Sequence, residues 1–359
     1  MLMYTRTVLG LYLYQLTSNH YKTHSIMYIA SQFKPAWWAK NPHVQTIFAD
    51  WLTNTKQVVG SNERLELDDG DFLDVVWTTA IDADYTGPLV VVFHGLEGSV
   101  KSHYAHRLLS LCKSMGWPAV IMHFRGCSGE PNRLSRAYHS GETSDARFFL
   151  ELVTKRFPYA SLFAASYSLG GNMLLKYLGE YADEPLLKGA VAISPPLNLS
   201  ACEARLKSGF SRVYQQHLLS RMKQNLHKKI ALIPQLSQQL ACDQQLESLV
   251  DFRSFDQQVT AVLHGFSSAD DYYQKCSAMQ YLNLINVPSL IIHAKDDPFM
   301  TQAVIPELEQ LSTQVAYELS EYGGHVGFIT GKYPWRAEFY IDQRIVGYFK
   351  SIYSDLSRA

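Results

Sequence analysis

The sequence predicts an α/β fold in which a mostly parallel sheet carries helices on both faces and is interrupted once by a long helical insertion. Three observations carry that prediction. The runs PLVVVF (88–93), AVIMHF (119–124), GAVAIS (189–194) and PSLIIH (288–293) are short, continuous and apolar, the pattern of strands buried on both faces. Stretches of helical period separate the first three, which is the βαβ rhythm. That rhythm stops after Pro196 and returns only at Pro288.

Composition bounds the function classes. A chain of 359 residues, 47% hydrophobic and 18% charged, can bury a sizeable core and shows no sign of disorder. A formal net charge of −1, with His227-Lys228-Lys229 as its longest cationic cluster, gives no electrostatic ground for binding nucleic acid. Five cysteines without C-x-x-C spacing read as a reduced, cytoplasmic protein rather than a disulfide scaffold or a zinc site.

Taken in order, residues 1–26 hold one apolar run, VLGLYLY (8–14). It is too short to span a bilayer, and residues 15–22 after it lack an A-x-A-like cleavage site. The stretch therefore reads as a dispensable extension, with Met27 as an alternative start and 27–359 as the main domain. Residues 31–51 are rich in aromatics (Phe33, Trp37, Trp38, Phe48, Trp51) and read as a clasp over the domain surface. Residues 64–79 alternate apolar and polar around Asp69-Gly70, a hairpin signal.

The strand at 88–93 ends in His94-Gly-Leu-Glu-Gly98 and precedes a helix over 103–114. The strand at 119–124 leads into a polar loop, 125–140. A helix follows over 141–156, with Glu142 and Asp145 at the end its dipole favours. From 197 to 284 there is no good buried strand, only helical segments such as 213–222 and a Gln-rich connector near 235–245. Insertions of this kind over the ends of parallel strands serve as lids. After 288–293 come the turn AKDDP (294–298), a helix, a last strand at 314–319, the loop EYGGHVGF (321–328) and a final amphipathic helix over 335–353.

The chemistry centres on LFAASYSLGG (162–171), where small and apolar residues run into Ser166-x-Ser168-x-Gly170 and a helix begins near Asn172. That is the strand–turn–helix setting of a nucleophile elbow, whose flanking positions must be small because the turn crowds the backbone. A serine nucleophile needs a base, a carboxylate that orients the base, and donors for the oxyanion. The chain supplies an acid and a histidine in the order Ser, Asp, His, each in a loop that follows a strand: Ser168, then Asp296-Asp297, then His325. Asp297 is preferred as the acid because it sits at the apex of the turn just before Pro298. Asp296 stays open as the second choice, bonding loop amides. Of the 13 histidines, His94 and His293 sit at strand ends out of order, and His123 reads as core. The Leu96 amide, in the loop after 88–93, pairs with that of Leu169 as the expected oxyanion hole. Neither Gly-rich piece, 94–98 or 126–129, matches a dinucleotide fingerprint. Arg125, Glu130 and Arg133 either bind a substrate head group or pin their loop through ion pairs, and pinning is favoured.

The stretches VVFHGLEGS (91–99), HFRGCSGEPNR (123–133), YHSGET (138–143), SYSLGGNML (166–174), GFSRVYQ (209–215), HAKDDPFM (293–300) and GGHVGF (323–328) closely resemble the YheT-like hydrolases of bacteria. These are a branch of the α/β-hydrolase superfamily related to the eukaryotic abhydrolase-domain lipases. The resemblance runs from residue 33 to the end and implies the α/β-hydrolase fold, a triad of Ser168, Asp297 and His325, and hydrolysis of esters or lipid esters. The chain departs from the family at Ser166, where glycine is usual.

The resulting expectation is a cytoplasmic serine hydrolase acting on small carboxylic or lipid-type esters, with a helical cap over about 197–284 shaping an apolar acyl pocket. It needs no metal and no organic cofactor, binds no nucleic acid and has no integral membrane segment; a transient contact with a membrane surface stays open. An acyltransferase on the same triad and a hydrolase-fold scaffold without catalysis are the alternatives.

Overall fold

The computed structural model describes residues 27–53, 60–240 and 246–358. The apolar run 8–14, the extension 1–26 and the end of the Gln-rich connector lie outside them.

One sheet is built from β1 (Tyr28–Ala30), β2 (Ser61–Glu66), β3 (Phe72–Trp77), β4 (Pro88–Phe93), β5 (Ala119–Met122), β6 (Ser161–Tyr167), β7 (Gly189–Ile193), β8 (Ser289–Ala294) and β9 (Val315–Ser320). Their order is β1-β9-β8-β7-β6-β4-β5-β3-β2. The seven strands from β1 to β5 in that order are parallel, and β3 and β2 add an antiparallel edge. The period-two alternation of a strand divides β4 between two cores. Leu89, Val91 and Phe93 face one, with Phe149 and Met173 from the helices α3 and α4 described below. Val90 and Val92 face the other, with Leu108 and Phe349 from α2 and α11. This double burial is why the run contains no polar residue.

The helices in chain order are α1 (Pro42–Leu52), α2 (His103–Ser114), α3 (Ser144–Arg156), α4 (Leu169–Glu180), α5 (Leu199–Leu206), α6 (Ser211–Leu232), α7 (Gln235–Leu240), α8 (Phe252–Phe255), α9 (Ala261–His264), α10 (Ala269–Cys276) and α11 (Tyr340–Leu356). Between α8 and α9 the residues Asp256–Thr260 form a π-helical turn. The helices α5 to α10 join β7 to β8. Leu219, Leu226, Leu236, Leu249, Phe255 and Val259 form a small core of their own there. The stretch Ala278–Leu284 instead returns to the main core through Ala278 and Leu282.

Several local readings are corrected. The turn after β8 leads into two short 3-10 turns, Gln302–Val304 and Leu308–Gln310, and not into an α-helix. Pro306 lies between them and forbids a continuous helix. Glu142 precedes α3, where it pairs with Arg136. The helix after the elbow starts at once, at Leu169, and the final helix starts at Tyr340. Ahead of it, Pro334–Arg336 is a 3-10 turn, and Glu338–Phe339 (β11) pairs antiparallel with β10 (Ile329–Thr330). β9 is therefore not the last strand. It is not an edge either, because β1 pairs alongside it.

The topology sets the site. The chain leaves β4 for β5 on one side and returns to β6 on the other. A crevice opens at the carboxyl ends of two parallel strands whose connections run in opposite directions. The loop at 94–98 and Ser168 meet there.

Candidate active site

Ser168 stands between β6 and α4 with φ 50° and ψ −121°, a conformation L-residues rarely adopt and hold only when their surroundings enforce it. Its N–H donates to the Ile193 carbonyl (2.8 Å), and its own carbonyl accepts from Gly171 (2.8 Å) and Asn172 (3.1 Å). Gly170 is required by contact: a Cβ there would lie 2.3 Å from the His94 carbonyl oxygen. Ser166 fits beside the turn, fully buried with its hydroxyl donating to the Val191 carbonyl of the next strand (3.1 Å).

The three residues picked out from the sequence come together. Ser168 Oγ lies 2.9 Å from His325 Nε2, and His325 Nδ1 lies 2.9 Å from Asp297 Oδ2. All three sit in loops at strand ends. Asp297 is almost fully buried, and its other oxygen accepts from the Phe299 N–H (2.8 Å). The Phe299 ring stacks on the imidazole at 4.0 Å and 15°, and the His325 N–H donates to Thr46 Oγ1 of α1 (3.0 Å). Asp296 points elsewhere. Its Oδ1 accepts from Gly324 N–H (2.9 Å), and burial pushes its carboxyl up to about 6.

The loop after β4 is held from two sides. The Phe124 N–H donates to His94 Nε2 (3.1 Å), so the ring proton sits on Nδ1 and is donated to the Gly95 carbonyl (2.7 Å). Complete burial pushes His94 down to about 3, which keeps it neutral. A trans peptide aims its C=O and N–H in opposite directions, so fixing the Gly95 carbonyl also fixes the Leu96 N–H. The Gly95 N–H in turn donates to Tyr104 Oη (2.9 Å). A Cβ on Gly95 would lie 3.2 Å from that of Ser168, so the loop passes directly over that serine. Leu96 and Leu169 both line the cavity that Ser168 and His325 open into. Among the described residues neither amide has an intrachain acceptor. The Leu169 N–H also opens α4, where the helix dipole favours negative charge.

That cavity has a volume of about 190 Å³. Its roof is mainly apolar, with Leu199, Leu206, Met222, Phe255, Val259 and Leu263 from the helices between β7 and β8, beside Glu203, Asn225, Asp256 and His264. A hydroxyl, a base and a carboxylate in line, beside two free amides and an apolar slot, can attack an acyl carbon and hold the resulting oxyanion.

Glu97 escaped the sequence reading. It is buried with φ 54°, and its carboxylate accepts from Tyr138 Oη (2.9 Å) and from the Asn225 amide of α6. Arg221 of α6 donates to the Glu97 carbonyl (2.7 Å). Burial raises the Glu97 pKa above its ordinary value. The only signal in the sequence was a charged residue inside a glycine-flanked loop. Phe299 and Thr46 were missed as well, since no short-range pattern marks a partner 26 or 279 positions away. In the loop at 125–140, Arg125 pairs with Asp145, Asp69 and Asp71, Glu130 with Arg64, and Arg133 with Glu66, so these ions pin the loop. His293 is spent inside β8, donating to the Pro195 carbonyl (2.8 Å) and accepting from Tyr317 (2.9 Å). His123 joins Asp74 and Val100.

Residues 88–332 match the family described as alpha/beta hydrolase fold. The chain is 48% identical over 303 residues to the Escherichia coli (strain K12) protein named "Putative esterase YheT", covering 84% of this chain and 88% of that one. It is 29% identical over 312 residues to mouse "Phospholipase ABHD3", covering 85% of this chain and 75% of that one. In structure it resembles the Pyrococcus furiosus esterase Pf2001, with a TM-score of 0.53 at 16% identity over 82% of this chain and 92% of that one. Among the described residues no helix is long and apolar enough to cross a membrane.

Proposed function

Because this chain belongs to the α/β-hydrolase family, on the branch of YheT and ABHD3, and is an ester hydrolase of the esterase–lipase type, we propose that it cleaves carboxylic esters through an acyl-enzyme on Ser168. His325 Nε2 takes the hydroxyl proton as Oγ attacks the ester carbonyl. The C–O bond to serine forms while the carbonyl π electrons move onto oxygen. The N–H groups of Leu96 and Leu169 receive that oxyanion. Collapse breaks the bond to the alcohol, which leaves with the proton held by His325. Water then repeats the sequence and releases the acid. Asp297 holds the ring with its Nε2 toward the serine.

One observation carries this reading: the unbroken line Asp297–His325–Ser168, with 2.9 Å at each contact, ends on a strained serine that faces a mainly apolar cavity. The acyl chain occupies that cavity under helices α5 to α10, whose roof is mainly apolar. The substrates are esters with an aliphatic acyl group, among them lipid esters.

Replacing Ser168 with Ala tests the proposal. Fluorophosphonate labelling is lost and p-nitrophenyl ester turnover falls by about 10⁴-fold or more, with the far-UV spectrum unchanged. Labelling that survives the substitution assigns the nucleophile to another serine and overturns it.

A further inference from the structure

Three of the six tryptophans, Trp37, Trp51 and Trp335, are 72%, 75% and 76% exposed. Tryptophan is seldom left in water, and exposed apolar groups gathered in one place mark an interaction site. These three belong to one structural unit. It joins the segment at 33–53, including α1, to the segment at 329–339 around a small core of Ala36, Ala39, Ala49 and Ile329. The buried Gln45 stitches the two together, donating to the Ala39 (2.6 Å) and Ile329 (3.1 Å) carbonyls and accepting from the Ile329 N–H (2.5 Å). The Trp37 indole N–H donates to the Lys332 carbonyl (3.0 Å), so its ring is held outward and is not simply loose. Phe48 packs against Trp51 (5.5 Å) and Tyr333 against Trp335 (5.1 Å), and both partners are themselves exposed.

The charges around these rings are unbalanced. Lys34, Lys40, Lys332 and Arg336 are exposed on the same two segments, opposed by Asp50 and Glu338. Among the described residues none of the six forms an ion pair. Outward tryptophan and tyrosine rings with an excess of cations on the same two segments, Lys332 lying over the Tyr333 ring (5.2 Å), match the interface of an anionic bilayer, where amphipathic rings sit at head-group depth and Lys and Arg meet lipid phosphate.

The unit also touches the site. Thr46 of α1 accepts the His325 N–H. His43 of α1 packs on Phe210 (4.5 Å) and hydrogen-bonds Tyr214 Oη (3.0 Å) at the start of α6, where Phe210 and Val213 are exposed.

We propose that the unit formed by residues 33–53 and 329–339 docks the protein on an anionic lipid surface, with Trp37, Trp51 and Trp335 entering the head-group layer. Its purpose rests on the ester-hydrolase reading, since docking beside the His325 loop brings lipid esters to the cavity. The contact itself does not depend on catalysis.

The test uses the full chain carrying Ser168→Ala, so that binding is measured without turnover. Vesicles of phosphatidylglycerol and phosphatidylcholine are compared with phosphatidylcholine alone by co-sedimentation, and brominated acyl chains serve as quenchers of tryptophan fluorescence. Docking predicts sedimentation with the anionic vesicles that weakens as salt is raised, together with quenching by bromolipid. A Trp37→Ser, Trp51→Ser, Trp335→Ser variant binds at least tenfold more weakly, and so does Lys332→Glu, Arg336→Glu. In the Ser168 background both hydrolyse a short soluble ester at the parent rate, which separates failure of docking from failure of the hydrolase reading. Vesicle binding that is absent or is untouched by both variants overturns the proposal. So does a dimer, seen by sedimentation velocity, that the tryptophan variant dissociates, because the surface then belongs to a second copy. Binding lost on deleting residues 1–26 but kept by the tryptophan variant assigns the lipid contact to that segment and likewise overturns it.

Discussion

The Asp296 carboxylate accepts a hydrogen bond from the Gly324 N–H (2.9 Å), the residue just ahead of His325, while its neighbour Asp297 bonds the imidazole itself (2.9 Å). Two adjacent acids thus point different ways, one bonding the loop that carries His325 and the other facing the ring. The other oxygen of Asp296 is buried with no partner among the described residues.

This division gives opposite outcomes for the two amides. Asp297→Asn puts a donor against Nδ1–H and removes the balancing charge, so kcat falls on the order of 10⁴-fold. Asp296→Asn keeps an acceptor for Gly324 and costs far less. Stopped assays of both variants decide between the acids, and the reverse ranking moves the role to Asp296.

Asp296→Asn also carries a pH signature. Burial raises the folded pKa to about 6, above the ordinary carboxyl value of about 4 in an unfolded chain. The folded state therefore binds the proton more tightly, and the contribution of this group to stability is present at low pH and lost as pH rises from about 4 through about 6. The variant has no such loss, so its Tm relative to the parent increases across that window. Parallel melts at pH 4 and pH 7 measure it.

The elbow gives a pair of substitutions with different costs. Gly170→Ala drives a Cβ to 2.3 Å from the His94 carbonyl, backbone that cannot yield without moving the loop over Ser168. Destabilisation of about 1–3 kcal/mol and a large loss of kcat follow. Ser166→Gly restores the smaller residue and removes only the bond to Val191, worth about 0.5–1.5 kcal/mol, with turnover within a few-fold of the parent. Denaturant melts and ester kinetics on both variants check this.

Glu97 links the loop over Ser168 to α6 through Asn225 and Arg221. Asn225→Ala leaves the carboxylate buried with one partner fewer and frees the loop that carries the Leu96 amide. The effect falls on kcat and on the rate of fluorophosphonate labelling, about 10- to 100-fold, with KM for a short ester little changed. A merely structural tie predicts a lower Tm at unchanged kcat.

With the acyl chain in the cavity, as proposed, the roof limits its length. Each buried CH₂ contributes roughly 0.8 kcal/mol, so kcat/KM rises about threefold to fourfold per carbon until the slot ends. Val259→Phe, on the roof, lowers that limit by one or more carbons while acetate ester turnover is kept. A flat profile for parent and variant alike refutes the assignment of the acyl chain to this cavity.

The sequence by itself determined the parallel sheet and the place of Ser168 in a sharp strand-to-helix turn, because both are written in short-range pattern. A strand buried on two faces must be continuously apolar, and a sharp strand-to-helix turn must have small residues around its serine, so 88–93 and 162–171 could be read locally. Chain order then reduced the acids to two and favoured one histidine. Only the tertiary structure decided which acid faces the ring, since Asp296 and Asp297 differ in side-chain direction and not in setting. It also decided what His94 does, because a histidine at a strand end becomes a holder of the Gly95 carbonyl only when Phe124, in the loop after β5, claims its second nitrogen. Glu97, Phe299 and Thr46 stayed hidden for the same reason. Their partners come from distant parts of the chain, and only packing brings those parts within hydrogen-bond or van der Waals range. The helix expected after Pro298 failed in the other direction: Pro306 removes a backbone donor and crowds the preceding turn, which leaves two short turns in place of one helix.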